Sequence, residues 1–266
     1  MLGPQSRLER DGTSMTTSEK TALVTGASSG IGEATALALA EAGWNVALNY
    51  LTFPERATGI KERIERLGRK CACYEVDVSD LESVEQMVER IDNDFAGIDG
   101  LVTCAVYSDR EPFHTADIAG FRKTLDVTMW GTFHALRAVT NKMLSTGRAG
   151  SIVIVGSPHA VIPVKDCMAY NISKAAVVQM ARTAAAELTH YGIRVNVIHP
   201  GWTDTPGEKK FFSEKELAEG ASEIPAGRLA RPSEIARGIV FLMADESEYV
   251  IGTELTIDGG IGIMEP

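Results

Sequence analysis

The sequence predicts an α/β chain: one doubly wound parallel sheet of about seven strands, with helices on both faces in a three-layer αβα arrangement. Short apolar runs alternate with stretches of helical periodicity from residue 21 to residue 258, as in a parallel sheet wrapped by crossover helices. The first run flows into a glycine-rich turn and then a helix, the order that opens a nucleotide-binding sheet. The 266 residues, 44% of them hydrophobic, are enough to bury one large core.

Thr21–Thr25 is the first strand, and the Ala-, Leu- and Glu-rich stretch ending near Gly43 is the first helix. Between them, Gly26, Ser28, Ser29, Gly30, Ile31 and Gly32 can present bare backbone N–H groups at the positive end of a helix dipole, where a pyrophosphate binds. The spacing is Gly-x-x-x-Gly-x-Gly rather than Gly-x-Gly-x-x-Gly, and no Lys-Ser/Thr follows as in a P-loop. Trp44–Asn49 is the second strand. Helix two carries Ile60, Ile64 and Leu67 on one stripe, and strand three, Cys71–Val76, leads into Asp77 and Val78. Asp80 is placed to cap the third helix, whose Val84, Val88, Ile91 and Phe95 share a face. Ile98–Thr103 opens strand four, and a long helix follows across Leu125–Thr128. Strand five, Ser151–Val155, delivers Ser157. The helix from Ala169 repeats Val177, Val178, Ala181, Ala184, Ala185 and Leu188 at helical spacing. Gly192–His199 is strand six, Pro232 begins the last helix, and Glu254–Asp258 closes the sheet.

A net charge of −10 argues against nucleic-acid and anionic-membrane partners. The largest basic cluster, Lys209-Lys210, is flanked by acids and reads as a solvated face. Cys71, Cys73, Cys104 and Cys167 lack metal-ligand spacing, so buried reduced thiols and no metal are expected. No apolar run is long enough to span a membrane. Residues 1–18 lack an apolar secretory core and read as a flexible tail, a tag or a misassigned start, with Met15 an alternative initiator. Residues 19–266 form a single domain, and a cytoplasmic location fits.

Residues four apart on a helix lie one turn apart on the same face, so Tyr170 and Lys174 can serve one site. A phenol titrates near about 10, and a cation within roughly 4–6 Å can lower it by about 1–3 units, towards useful acid–base chemistry. Ser157, at the end of a strand, could set a second hydroxyl on the same carbonyl oxygen. His159 follows it, but no Gly-x-Ser-x-Gly elbow surrounds Ser157, which argues against a serine–histidine hydrolase.

Ser157 with Tyr170-x-x-x-Lys174, the Thr25-Gly26-x-x-x-Gly30-Ile31-Gly32 turn, Pro200-Gly201-x-x-x-Thr205 and the ending Asp258-Gly259-Gly260 together resemble the classical short-chain dehydrogenase/reductase family. The resemblance covers nearly the whole chain after the tail. It implies a Rossmann-like core and an NAD(P)-dependent oxidoreductase moving a hydride between nicotinamide and a carbonyl or secondary alcohol. Tyr170 would be the general acid/base, Ser157 would orient the substrate oxygen, and Lys174 would hold the nicotinamide ribose. The resemblance also implies that Asp77 and Val78 flank the adenine and that Cys104 and Ala105 close over the cofactor. Pro200 and Gly201 would contact the cofactor, with the Thr203 backbone and the Thr205 hydroxyl fixing the carboxamide.

Two departures stand out. The family's Asn-Asn-Ala-Gly is Thr103-Cys104-Ala105-Val106 here, and the asparagine of Leu-Asp-Val-Asn is Thr128, which would take that residue's place in the proton relay. They motivate an alternative, a nucleotide-binding sensor with little turnover. An acid at the end of strand two would bind the adenosine ribose. Asn49, Tyr50 and Leu51 stand there instead, with Arg56 the nearest cation, which leans the cofactor towards NADP(H). Glucose-dehydrogenase-like and 3-oxoacyl-reductase-like members share this frame, so the expected partner is a small alcohol or carbonyl. Its pocket would lie in 107–118 and 206–230, the latter a substrate lid or a surface helix pair anchored by Phe211, Phe212 and Leu217. Family members assemble as homotetramers, and Ala175, Ala176, Ala181 and Ala184 would allow close helix packing.

Overall fold

The computed structural model describes residues 19–263; the expected tail, 1–18, lies outside them. Seven strands form one all-parallel sheet in the order β3-β2-β1-β4-β5-β6-β7. They are β1 (Thr21–Thr25), β2 (Asn45–Tyr50), β3 (Cys71–Glu75), β4 (Gly100–Thr103), β5 (Gly150–Val155), β6 (Ile193–Pro200) and β7 (Glu254–Ile257). Strand order reverses between β1 and β4, which opens a crevice at their carboxyl ends, the usual ligand site of such sheets.

Helices cover both faces. One layer contains α1 (Gly30–Glu41), α2 (Pro54–Arg66) and α8 (Pro232–Met243), whose Leu39, Ile60 and Ile239 pack with Ala22, Val24 and Val153. The other contains α3 (Leu81–Phe95), α5 (Gly131–Thr146) and α6 (Met168–Leu188), whose Ile91, Val139 and Val177 pack with Leu23, Ile152 and Ile154. Alternate residues of β1 and β5 thus feed opposite cores, which is why these strands read as unbroken apolar runs.

Element bounds agree with the sequence reading to within about one or two residues, the ordinary uncertainty of element ends. Asp80 caps α3 by accepting from the Glu82 N–H. Leu67 is a correction: it follows α2 rather than joining its buried stripe, and it is exposed. Ala181 faces the core, so it cannot line an outer helix contact. The long helix before β5 is really α4 (Ile118–Thr124), a π-helical turn at Leu125–Trp130, and α5. All four cysteines are free, but only Cys71 and Cys167 are fully buried. The 206–230 excursion forms a short 3₁₀ turn at Glu208–Lys210 and one helix, α7 (Glu214–Glu223), started by a Ser213–Glu216 capping box. Leu217 and Ile224 anchor it, whereas Phe211, expected as an anchor, is exposed because it lies on the surface turn over Arg110.

Candidate active site

The glycine turn lies between β1 and α1 and has no room for side chains. Gly26 has φ +61°, and a Cβ there would stand 2.7 Å from the Ala105 backbone. A Cβ on Gly32 would come within 2.3 Å of the Gly26 carbonyl. The Ser29 side chain makes no capping bond to α1, so the first N–H groups of that helix are left for a ligand. Thr25 Oγ1 accepts from the Cys104 and Ala105 N–H groups, fixing the end of β4 over the turn. Thr205 approaches from the far side, its methyl 3.2 Å from where a Gly30 Cβ would lie. Gly201 and Thr203 are tied into this loop by Gly201 N–H to Ile257 O and Thr203 Oγ1 to Gly201 O, each 2.9 Å. Gly26, Gly30, Gly32, Ala105 and Thr205 thus meet at one crevice, a backbone-lined cradle that fits a dinucleotide pyrophosphate.

At the end of β2, Asn49 is buried rather than offered to a ligand. Its Nδ2 donates to Val76 O at 2.9 Å and Tyr74 O at 3.3 Å, and its Oδ1 accepts from Gly26 N–H at 3.4 Å. Tyr50 and Leu51 are therefore the residues left facing out. Burial and the neighbouring Glu75, 3.4 Å from its hydroxyl, raise the Tyr50 pKa. Arg56 and Arg63 both pair with Glu33. The Asp77 carboxylate takes the backbone and hydroxyl of Ser79. Val78 is buried, and a Cβ on Gly131 would come within 2.5 Å of its methyl.

Ser157 follows β5, and Tyr170 and Lys174 stand one turn apart near the start of α6. Lys174 is buried; its Nζ donates to Val155 O at 2.7 Å and lies 5.4 Å from the centre of the Tyr170 ring. The Ser157 hydroxyl favours the Tyr170 phenolate, but burial outweighs it and pushes the phenol up to about 12. The sequence reading expected a nearby cation to lower this pKa. The opposite direction wins because the phenol is itself desolvated; burial likewise brings the Lys174 ammonium down to about 8. His159 lies edge-on to Tyr170 at 5.1 Å, with its Nδ1 on Asn171 Oδ1 at 2.8 Å. Only the His159 backbone N–H reaches Ser157 Oγ, so no serine–histidine pair forms.

Thr128 is fully buried in the π-helical turn. Its hydroxyl donates to Tyr107 O at 2.7 Å and accepts from Tyr107 N–H at 3.1 Å, so its one proton is committed. Val106 points outward and is half exposed. The segments 107–118 and 206–230, expected to hold the pocket, form the opposite wall, where Arg110 meets Glu208, and Trp202 and Phe212 stack edge to face; the sequence reading placed the segments but not this pairing. No local pattern marks these residues.

A family model described as enoyl-(acyl carrier protein) reductase matches residues 26–262. The chain is 34% identical to cis-4-hydroxycyclohexanecarboxylate dehydrogenase of Sinomonas cyclohexanicum, over 91% of this chain and 96% of that one. It is 35% identical to glucose 1-dehydrogenase of Gluconobacter oxydans, over 91% of each. The solved structure of levodione reductase superposes with a TM-score of 0.87 at 29% identity, covering 92% of this chain and 98% of that one. The actinorhodin polyketide ketoreductase with NADPH gives 0.87 at 26%, with coverage of 92% and 98%. These names favour oxidoreduction over the sensor alternative. The chain belongs to the short-chain dehydrogenase/reductase family and is an NAD(P)-dependent oxidoreductase acting on alcohols and carbonyls.

Proposed function

We propose that Tyr170, Ser157 and Lys174 carry this chemistry on a small secondary alcohol or its ketone. The supporting observation is the meeting of these three side chains beside the glycine cradle. A bound nicotinamide supplies or takes up the hydride. Tyr170 gives its hydroxyl proton to the oxygen formed on reduction and recovers it on oxidation. With burial raising its pKa, the phenol stays protonated near neutral pH, the form that reduction requires. Ser157 hydrogen-bonds the same oxygen. Lys174 has three donors and gives one to Val155 O, which leaves two for ribose hydroxyls. Backbone groups of Gly26–Gly32 would hold the pyrophosphate, with Thr203 and Thr205 at the carboxamide.

The end of β2 supports NADP(H), since neither Tyr50 nor Leu51 is the acid that would bind the adenosine ribose hydroxyls, and the Glu75 carboxylate beside them accepts from the Tyr50 hydroxyl at 3.4 Å. Titrations with NADH and NADPH side by side test this, and a tighter fit for NADH would reverse it. The outer faces of α5 and α6 form a groove of about 600 Å³ lined by Phe133, Leu136, Ala176, Met180 and Ala184, which supports assembly as a homotetramer. Sedimentation showing a monomer would remove that assignment. No helix among the described residues is long and apolar enough to cross a membrane, and a cytoplasmic location is part of the same reading, open to cell fractionation. The decisive assay follows nicotinamide absorbance with cis-4-hydroxycyclohexanecarboxylate, glucose, 3-hydroxybutyrate and a 3-oxoacyl thioester. Binding of the dinucleotide with no turnover across such a panel would overturn the catalytic assignment.

A further inference from the structure

Arg110 enters the pocket wall from the segment between β4 and α4, and Glu208 from the turn after β6. Both Glu208 oxygens lie 3.2 Å from the same nitrogen, Arg110 Nη2. A carboxylate fully matched to arginine spreads its two oxygens over two nitrogens as parallel bonds. Here the fork is half used: Arg110 Nε is buried without a hydrogen-bond partner. The guanidinium is held over Phe211 and Phe212, 4.2 and 5.0 Å from their ring centres. Glu208 has a second attachment, accepting the Trp202 indole N–H at 3.0 Å. The pair acts electrostatically on the Tyr170 phenol, Arg110 favouring its ionised form and Glu208 opposing it, so it stands near the proposed reaction site.

We propose that Arg110 is the anchor for a carboxylate on the substrate, with Glu208 holding that place until one binds. The idle Nε and the shared Nη2 suit a planar pair of oxygens better than a single hydroxyl. The flanking phenylalanine rings hold the guanidinium in place by cation–π contact. The preferred substrates are therefore hydroxy acids or oxo acids whose carboxylate lies away from the reacting carbon. This rests on the hydride-transfer reading given above.

The test pairs each hydroxy acid of the panel, cyclic and acyclic, with its primary amide. Calorimetry measures their binding to protein saturated with reduced dinucleotide, where a hydroxyl compound cannot react. The wild type should bind at least one acid roughly 10- to 100-fold more tightly than its amide, as expected for hydrogen bonds to a charged group. Arg110→Gln should abolish that preference. Glu208→Gln should widen it, because a competing charge is gone. Equal binding of every acid and its amide by the wild type overturns the proposal. So does an equal loss of acid and amide in Arg110→Gln, or a loss of the acid in Glu208→Gln as complete as in Arg110→Gln. Arg110-dependent acid binding with no turnover of any alcohol would retain the anchor and remove the hydride-transfer reading. Turnover without acid preference would do the reverse.

Discussion

Lys174 gives a prediction whose size follows from its burial. Its ammonium has one protein partner, Val155 O, and desolvation brings its pKa down to about 8. Against an ordinary value of about 10.4, the gap of roughly 2.5 units is worth about 3.5 kcal/mol at about 1.4 kcal/mol per unit. The unfolded chain holds this proton more tightly than the folded one, so stability rises with pH between the two values. Below about 8 both states are protonated and the full penalty applies. By pH 9.5 roughly 2 kcal/mol of it is recovered. Replacing Lys174 with Met removes the titration and leaves Val155 O unpaired, an offset that does not vary with pH. The difference between wild type and Lys174→Met isolates the lysine from every other titrating group. In thermal melts without cofactor, wild type should gain on the variant by roughly 4–8 °C from pH 7 to pH 9.5, at about 2–4 °C per kcal/mol. A flat difference across that range, or wild type losing ground as pH rises, would refute the desolvation argument.

Three further outcomes follow from the same contacts. Tyr170→Phe should lower turnover by about 10²- to 10⁴-fold, the usual worth of a positioned acid, while dinucleotide affinity stays within a few-fold; activity within threefold of wild type would exclude the phenol as proton donor. Thr128→Val removes both bonds to the Tyr107 backbone and should cost about 1–3 kcal/mol in a urea melt, with Thr128→Ser restoring most of it; equal stability of the two variants would contradict the assignment. Gly32→Ala would drive a methyl into the Gly26 carbonyl and should abolish dinucleotide binding in a fluorescence titration. Retained affinity there would mean the turn is not the pyrophosphate cradle.

The parts of the site legible in the sequence are those imposed by the backbone. Gly26 and Gly32 are required by contacts within a few residues of the turn and with the Ala105 backbone, so their spacing carries the message. Tyr170 and Lys174 are readable because helical periodicity alone puts them on one face. The direction of the Tyr170 shift was not readable, since it depends on burial under distant segments rather than on the neighbour four residues away. Arg110 and Glu208 stand 98 residues apart, and neither lies in a periodic element, so only the folded chain brings them together. Thr128 is an intermediate case. Its position in the chain was evident, but its partner, Tyr107, comes from a loop with no pattern of its own.

Asn49 occupies the place where an acid would be sought, yet it works as a bracket, joining the glycine turn to the two carbonyls at the end of β3. Retuning the chain from one dinucleotide to the other therefore cannot begin there. A carboxylate at 49 would meet two carbonyl oxygens with nothing to donate, injuring the scaffold before it could touch a ribose. On the proposed cofactor reading, nucleotide choice is separable from the integrity of the fold only one and two positions later, at Tyr50 and Leu51.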